Sequence, residues 1–239
     1  MKAYFISDAH LSCDKTPDET LKQETLHRFF RTIEKDATHL FVVGDLFDFW
    51  FEYKYVISKG NFDFLYELKR LSDKGIEIHY LAGNHDFALG SFFTDVLKIN
   101  AWPEEYTFEL SGKKFYLFHG DGIAKGDIGY RFLRRILRNK FNQKIFRWIH
   151  PDIGYPLARF VSGSSRKYTN QMNDKRDESD YIEFAESKFQ QGYDFVLMGH
   201  RHNPLLHEKG KHRYINLGDW MTKFTYALFA GTDLTLNKF

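Results

Sequence analysis

The sequence predicts an α/β fold, and three observations carry that expectation. Short apolar runs, β-branched and aromatic-rich, recur along the chain and read as buried strands. Helical stretches lie between them, which is the alternation of an α/β domain. Nearly every run hands over to a loop carrying Asp, Asn or His, often beside a glycine. In open α/β sheets ligands bind outside the carboxyl ends of the strands, so these loops are where a site is expected.

The elements follow in order. "AYFIS" leads into Asp8, "HLFVVG" into Asp45, and "IEIHYLAG" into Asn84 and His85. "KFYLFHG" contains His119, "YDFVLMG" leads into His200, and "RYINLG" into Asp219. Helices are expected over 20–35 and 61–74 between the early runs. Gly44, Gly83, Gly120 and Gly199 each adjoin one of the polar residues, where glycine permits a sharp turn and close backbone approach. Residues 123–190 interrupt the pattern. In "RFLRRILRNKFNQKIFRWI", Phe132, Ile136, Leu137, Phe141, Ile145 and Ile149 fall at helical spacing, with Arg and Lys on much of the other face. The expected organisation is a core of residues 1–122 and 191–239 with a helical insertion at 123–190. The apolar stripe of the insertion is expected to pack on the body while leaving an apolar chamber.

Composition narrows the function. Hydrophobic residues at 43% and charged residues at 28% describe a soluble globular chain of 239 residues, one large domain or one with an insertion. The single cysteine, Cys13, excludes an internal disulfide framework and fits a reducing compartment. The N-terminal "MKAYFISDAH" reads as a strand and not a signal peptide, and no apolar run reaches the roughly 18 residues a membrane span needs. A cytoplasmic protein, free or lying on a membrane surface, is expected. The net charge of +2 hides an asymmetry: residues 123–170 hold eleven Lys/Arg against Asp127 and Asp152, about +9, which leaves about −7 for the rest. A basic, aromatic block inside a mildly acidic chain points toward an anion.

Five motifs carry the chemistry: "SDAH" (Asp8, His10), "GDLFD" (Asp45, Asp48), "GNHD" (Asn84, His85, Asp86), "HGD" (His119, Asp121) and "GHRH" (His200, His202). Residues at i and i+2 of an extended segment point the same way, so Asp8 and His10 can meet one metal ion. His200 and His202 can do the same, or diverge to serve two. Mixed carboxylate, imidazole and amide ligands without thiolate favour Mn²⁺, with Fe²⁺ or Zn²⁺ as alternatives, over Ca²⁺. Seven ligands exceed the needs of one ion, whereas two ions roughly 3.5–4 Å apart sharing a carboxylate would use them all, an arrangement suited to phosphoryl transfer. Each motif alone reads as an ordinary turn, surface loop or helix cap. All five at strand ends, in this order, do not.

The ordered set Asp-x-His, Gly-Asp, Gly-Asn-His-Asp, His and Gly-His-x-His resembles the calcineurin-like metallophosphoesterases over residues 6–219. The resemblance implies two mixed β-sheets packed face to face and flanked by helices. It implies that Asp8, His10, Asp45 and His202 hold one metal ion and that Asp45, Asn84, His119 and His200 hold the second, with Asp45 bridging. His85 would then donate a proton to the leaving oxygen or stabilise charge on it, and Asp86 would orient His85.

A narrower resemblance lies in "GDLFDFWF", "HGDGIAKGDIGYR" and "NLGDW", which look like the UDP-2,3-diacylglucosamine pyrophosphatase family of lipid A biosynthesis. It implies hydrolysis of a lipid-linked UDP-sugar to UMP and a diacylglucosamine 1-phosphate, with the insertion as a helical lid over the acyl chains. By this resemblance Asn84, His85, Asp127 and Tyr130 contact substrate, joined by Arg159, Ser162, Arg166 and Lys167 from "RFVSGSSRKYTNQ". The basic aromatic insertion suits an anionic lipid on the cytoplasmic face of the inner membrane. No nucleic-acid partner and no obligate protein partner is expected. Two departures stand: the family carries Arg where this chain has His85, and Arg166 and Thr169 occupy positions where Asn and Lys are expected. A phosphoesterase acting on another nucleotide diphosphate or phosphodiester is therefore the alternative.

Overall fold

The computed structural model describes residues 1–158 and 178–239. Eleven strands among them form two mixed sheets. In the first sheet β1 (Lys2–Ile6), β2 (His39–Val43), β3 (Glu77–Leu81) and β4 (Asn100–Trp102) run parallel, extended by antiparallel β10 (Thr225–Ala230) and β11 (Asp233–Lys238) beside β1. In the second, β6 (Lys113–Phe118), β7 (Phe195–Met198) and β9 (His212–Asn216) are parallel, edged by antiparallel β5 (Tyr106–Leu110) and β8 (Leu205–Lys209).

The apolar runs are buried on both faces, which is why they read as continuous and not alternating. Successive side chains of a strand point to opposite faces. Ala3, Phe5, Phe41 and Val43 therefore meet Phe115, Leu117, Phe195 and Leu197 of the other sheet in a shared inner core. Tyr4, Ile6, Leu40, Val42 and Ile78 face outward onto α1 (Pro17–Ile33) and α2 (Phe62–Asp73) through Leu26, Phe29, Phe30, Leu65 and Leu68. Tyr116, Val196 and Met198 face α7 (Ser179–Gln190) through Tyr181, Ala185 and Phe189. The result is a four-layer helix–sheet–sheet–helix sandwich, the architecture that the resemblance implies. Helix α1 starts three residues earlier than periodicity suggests because Thr16 caps it, accepting the Glu19 N–H at 3.2 Å, and Pro17 supplies a helical φ. A short α3 (Phe92–Asp95) follows β3.

Between β6 and β7 lie α4 (Ile128–Arg138), α5 (Lys140–Phe146) and α6, whose described part is 151–158. Two differences from expectation concern this segment. Helix α7 falls within 123–190 but belongs to the sandwich, because its apolar face covers the second sheet. The apolar stripe does not pack on the body: no residue of α4 or α5 is buried, and Ile128, Phe132, Phe141 and Ile145 are exposed. Apolar packing on the body is confined, among the described residues of α4–α6, to Phe146 and Tyr155, which meet Phe49, Phe51 and Tyr53. Among the described residues no helix is long and apolar enough to cross a membrane.

Candidate metal centre and adjoining cavity

The loops after β1, β2, β3, β6 and β7 converge at one end of the sandwich, where the two sheets meet. Asp8, His10, Asp45, His119, His200 and His202 are drawn within a few ångströms of one another, with Asn84 between His119 and His200. Asn84 Oδ1 lies 3.0 Å from His119 Nε2 and 2.9 Å from His200 Nδ1. His10 and His202 point their Nε2 atoms at each other, 3.2 Å apart, and His202 Nε2 lies 3.1 Å from Asp8 Oδ1. Asp45 Oδ2 sits between the two groups, 3.3 Å from His119 Nε2 and 3.7 Å from His10 Nε2.

Asp8 and His10 converge, but not as extended-strand neighbours. Asp8, His10, Asp45, His200 and His202 all have positive φ, at 57°, 44°, 54°, 68° and 52°. Side-chain-bearing residues rarely adopt this left-handed conformation, and it costs on the order of 1 kcal/mol or more per residue. The strain aims each side chain into the gap between the sheets. Glycines make the room: a Cβ at Gly83 would overlap Asp45 Oδ1, and one at Gly199 would overlap Asp8 Oδ2 and Ser7 Oγ.

Hydrogen bonds then fix which ligand atom is left over. Asp8 Oδ2 accepts from Ser7 Oγ and the His200 N–H, and Asp8 Oδ1 is buried with no hydrogen-bond partner. Asp45 Oδ1 accepts from the His85 N–H at 2.8 Å, which leaves Oδ2 for the site. His119 Nδ1 faces the Val43 carbonyl at 2.9 Å and must carry the proton there, leaving the Nε2 lone pair inward. Burial pushes His10 down to about 3, and burial with the facing His119 pushes His200 down to about 4, so both rings are neutral, the state in which an imidazole can take a metal ion. Burial opposes charge on His119, but the Asp45 carboxylate outweighs it and pushes the ring up to about 10. A proton and a metal ion compete for that Nε2. Buried lone pairs converging from two directions, with an orphaned carboxylate oxygen among them, fit divalent cations; among the described residues Asp8–His10–His202, Asp8–Asp45–His119 and His10–Asp48–His85 are the groups able to hold one.

His85 lies beside the centre. Its Nδ1 is 2.9 Å from the Asp48 carbonyl and its Nε2 is 4.0 Å from Asp45 Oδ2, so Nε2 faces the site. The structure corrects the part given to Asp86. Its carboxylate accepts from the N–H groups of Gly83, Asp45 and Leu46 and from the Tyr80 hydroxyl. Asp86 thus ties the β2 and β3 loops together, while the Asp48 main chain orients His85. Asp219, at the end of the "RYINLG" run, caps a turn through the N–H groups of Met221, Thr222 and Lys223.

A cavity of about 270 Å³ opens directly beside Asn84 and His85. Phe49, Phe51 and Phe87 line it from the body, and Leu133, Leu137 and Phe146 from α4 and α5. Tyr130 also faces it, donating its hydroxyl to Asp121 Oδ2 at 2.8 Å. Asp127 sits at the N-terminus of α4, outside the cavity lining. Arg159, Ser162, Arg166 and Lys167 lie outside the described residues.

Residues 1–204 match the family model described as calcineurin-like phosphoesterase. The chain belongs to the calcineurin-like phosphoesterases. This metallophosphoesterase family uses divalent metal ions, in keeping with the His/Asp clusters. The chain is 35% identical to a UDP-2,3-diacylglucosamine hydrolase of Porphyromonas gingivalis, over 99% of this chain and 97% of that one. It is 30% identical to the enzyme of that name from Neisseria meningitidis serogroup B, over 97% and 95%. Its fold also matches a structure described as a novel archaeal phosphodiesterase, with a TM-score of 0.53, 15% identity and 99% of each chain covered.

Three contributors to this phosphoesterase site escaped the sequence reading. Asp121 was visible in "HGD" without a role. Arg134 and Arg138 were visible only as part of a basic block, yet both reach Asp121. The Phe49, Phe51 and Phe87 wall carried a signal in retrospect: each aromatic follows a ligand loop by a few residues.

Proposed function

We propose that the chain hydrolyses the diphosphate of UDP-2,3-diacylglucosamine, giving UMP and 2,3-diacylglucosamine 1-phosphate, the reaction of lipid A biosynthesis. The observation that carries this reading is the aromatic cavity opening beside Asn84 and His85. A metal centre alone suits any phosphate ester; an apolar chamber at its edge suits one attached to acyl chains. The full-length relatives carrying that enzyme's name support it.

In this reading Asp8, His10, Asp45 and His202 hold one ion and Asp45, Asn84, His119 and His200 the other, with Mn²⁺ the first candidate and Fe²⁺ or Zn²⁺ next. The bound ions supply positive charge to the phosphate and lower the pKa of the attacking water. The chain's residues do the rest. His85 presents Nε2 toward the leaving oxygen to donate a proton or stabilise its charge. Asn84 and Tyr130 hold the head group, and α4–α6 act as a lid that keeps acyl chains from water. Exposed Phe132, Phe141, Ile145 and Trp148, interleaved with Arg135, Lys140, Lys144 and Arg147, suit peripheral attachment to the anionic cytoplasmic face of the inner membrane.

The test is UMP release from UDP-2,3-diacylglucosamine in mixed micelles with Mn²⁺, set against soluble nucleotide diphosphates. Micelle-dependent turnover of the lipid is expected. Turnover of soluble diphosphates alone would overturn the lipid substrate and favour the nucleotide alternative.

A further inference from the structure

Arg134 stands on α4 in the cavity wall, in the same lining as Asn84, His85 and Tyr130. Its Nε lies 2.7 Å from Asp121 Oδ2 without the alignment of a hydrogen bond, and its Nη2 approaches only the exposed Glu104, at 3.5 Å. Both nitrogens are buried and have no hydrogen-bond partner. Buried guanidinium donors are ordinarily hydrogen-bonded, so a guanidinium in a cavity lining that makes ion-pair contacts but no hydrogen bond has donor capacity left for an acceptor that the cavity receives.

The contrast with Arg138, one turn along, sharpens the point. Arg138 Nη1 donates to the Pro103 carbonyl at 3.0 Å and Nη2 to the Gly83 carbonyl at 3.1 Å, which straps α4 to the metal-binding loops. Arg138 spends donors on main-chain carbonyls, whereas Arg134 makes ion-pair contacts alone, to Asp121 and Glu104. Asp121, fully buried, gathers both guanidinium groups and the Tyr130 hydroxyl at a single oxygen. One buried carboxylate faces the two guanidinium groups, and their other counter-charge, Glu104, is exposed and no nearer than 3.4 Å, so the buried part of the wall is short of negative charge. Arg's planar fork suits phosphoryl oxygens, which it binds by charge-assisted hydrogen bonds.

Resting on the substrate reading above, we propose that Arg134 is an anion-binding residue of this site. Its guanidinium takes a phosphoryl oxygen of the diphosphate while the acyl chains lie against Phe49, Phe51 and Leu137. Asp121 positions Arg134, and Arg138 fixes the helix that carries it.

The test uses the metal-loaded protein and two amphiphiles below their micellar concentrations, dodecyl phosphate and dodecyl maltoside, titrated calorimetrically. Arg134→Gln is expected to weaken dodecyl phosphate about tenfold, with Arg134→Lys in between, while dodecyl maltoside stays within about twofold for all three proteins. The same dependence on Arg134 is expected after EDTA treatment, since the contact does not pass through metal. Unchanged dodecyl phosphate affinity in Arg134→Gln overturns the proposal. Equal losses for both amphiphiles also overturn it, because they mark a side chain that only shapes the cavity. A wild-type protein that binds dodecyl phosphate through Arg134 yet releases no UMP from UDP-2,3-diacylglucosamine sinks the substrate reading and leaves Arg134 in place.

Discussion

The metal pocket and the α4–α5 helices border the same cavity and are built in opposite ways. The pocket is buried: Asp8 and His119 are 0% exposed, and its backbone is strained at five residues. Its ligands are aimed by hydrogen bonds that commit one atom of a side chain and release the other. The helices carry no buried residue at all and touch the body through Phe146 and a few polar straps. A metal ion tolerates little error in ligand position, so its site must be held rigid by surroundings that over-determine it. An acyl chain asks only for apolar area, which mobile aromatic and aliphatic side chains supply in many arrangements. Burial and fixed side-chain geometry are concentrated where charge is handled, and exposed side chains where α4 and α5 border the cavity.

That contrast predicts large losses in the pocket that no adjustment absorbs. Asp45→Ala removes the one carboxylate oxygen facing both ligand groups; turnover is expected to fall by about 10³-fold or more, a barrier increase of about 4 kcal/mol. Metal analysis of the same variant should show loss of at least one ion per chain, and full occupancy would break the bridging assignment. His85→Ala should cost about 10²-fold in turnover with metal content intact, because its Nε2 faces the site and the proposed ligand set does not use it, although His10–Asp48–His85 also lie close enough to hold an ion. If that variant loses metal, His85 belongs to the rigid pocket and not to its edge.

The two regions also differed in how far the sequence revealed them. The strand runs and the residues beyond them were legible because burial on both faces leaves continuous apolar letters, and polar residues at strand ends then stand out. Asp8, Asp45 and Asn84 could be picked out one after another on that ground. What was not legible was orientation. Periodicity carries no sign of positive φ, so Asp8 and His10 were brought together for the wrong reason. Asp86 next to His85 suggested a pair, whereas its oxygens reach Gly83, Asp45, Leu46 and Tyr80 across two loops. Helix α7 and helix α4 share an amphipathic pattern, and only the second sheet lying against Tyr181 and Phe189 separates core from insertion.

The helices should give smaller, substrate-dependent effects. Phe146 packs edge-on against Phe51 with ring centres 4.8 Å apart and closes one side of the cavity. Phe146→Ala should raise KM for the lipid substrate about tenfold, by the lost burial of one aromatic ring, and leave a small soluble phosphodiester turned over at the wild-type rate. Equal losses on both substrates would mean that α5 props up the metal pocket, and the division between the two regions would fail.

Trp148 lies farther out, 86% exposed at the end of the α5 segment beside Arg147. Its ring touches too little protein to matter for folding or chemistry, but at a membrane interface an indole has an apolar body to bury and an N–H to keep wet. Trp148→Ala should therefore leave thermal stability and soluble-ester turnover unchanged while weakening sedimentation with anionic vesicles about three- to fivefold. Raising the salt should weaken binding further in both proteins through the neighbouring Lys140, Lys144 and Arg147, since screening acts on those charges whether or not the indole is present. A variant that binds vesicles like the wild type would place the membrane-facing surface elsewhere, and the exposed stripe of α4 and α5 would then need a different occupant.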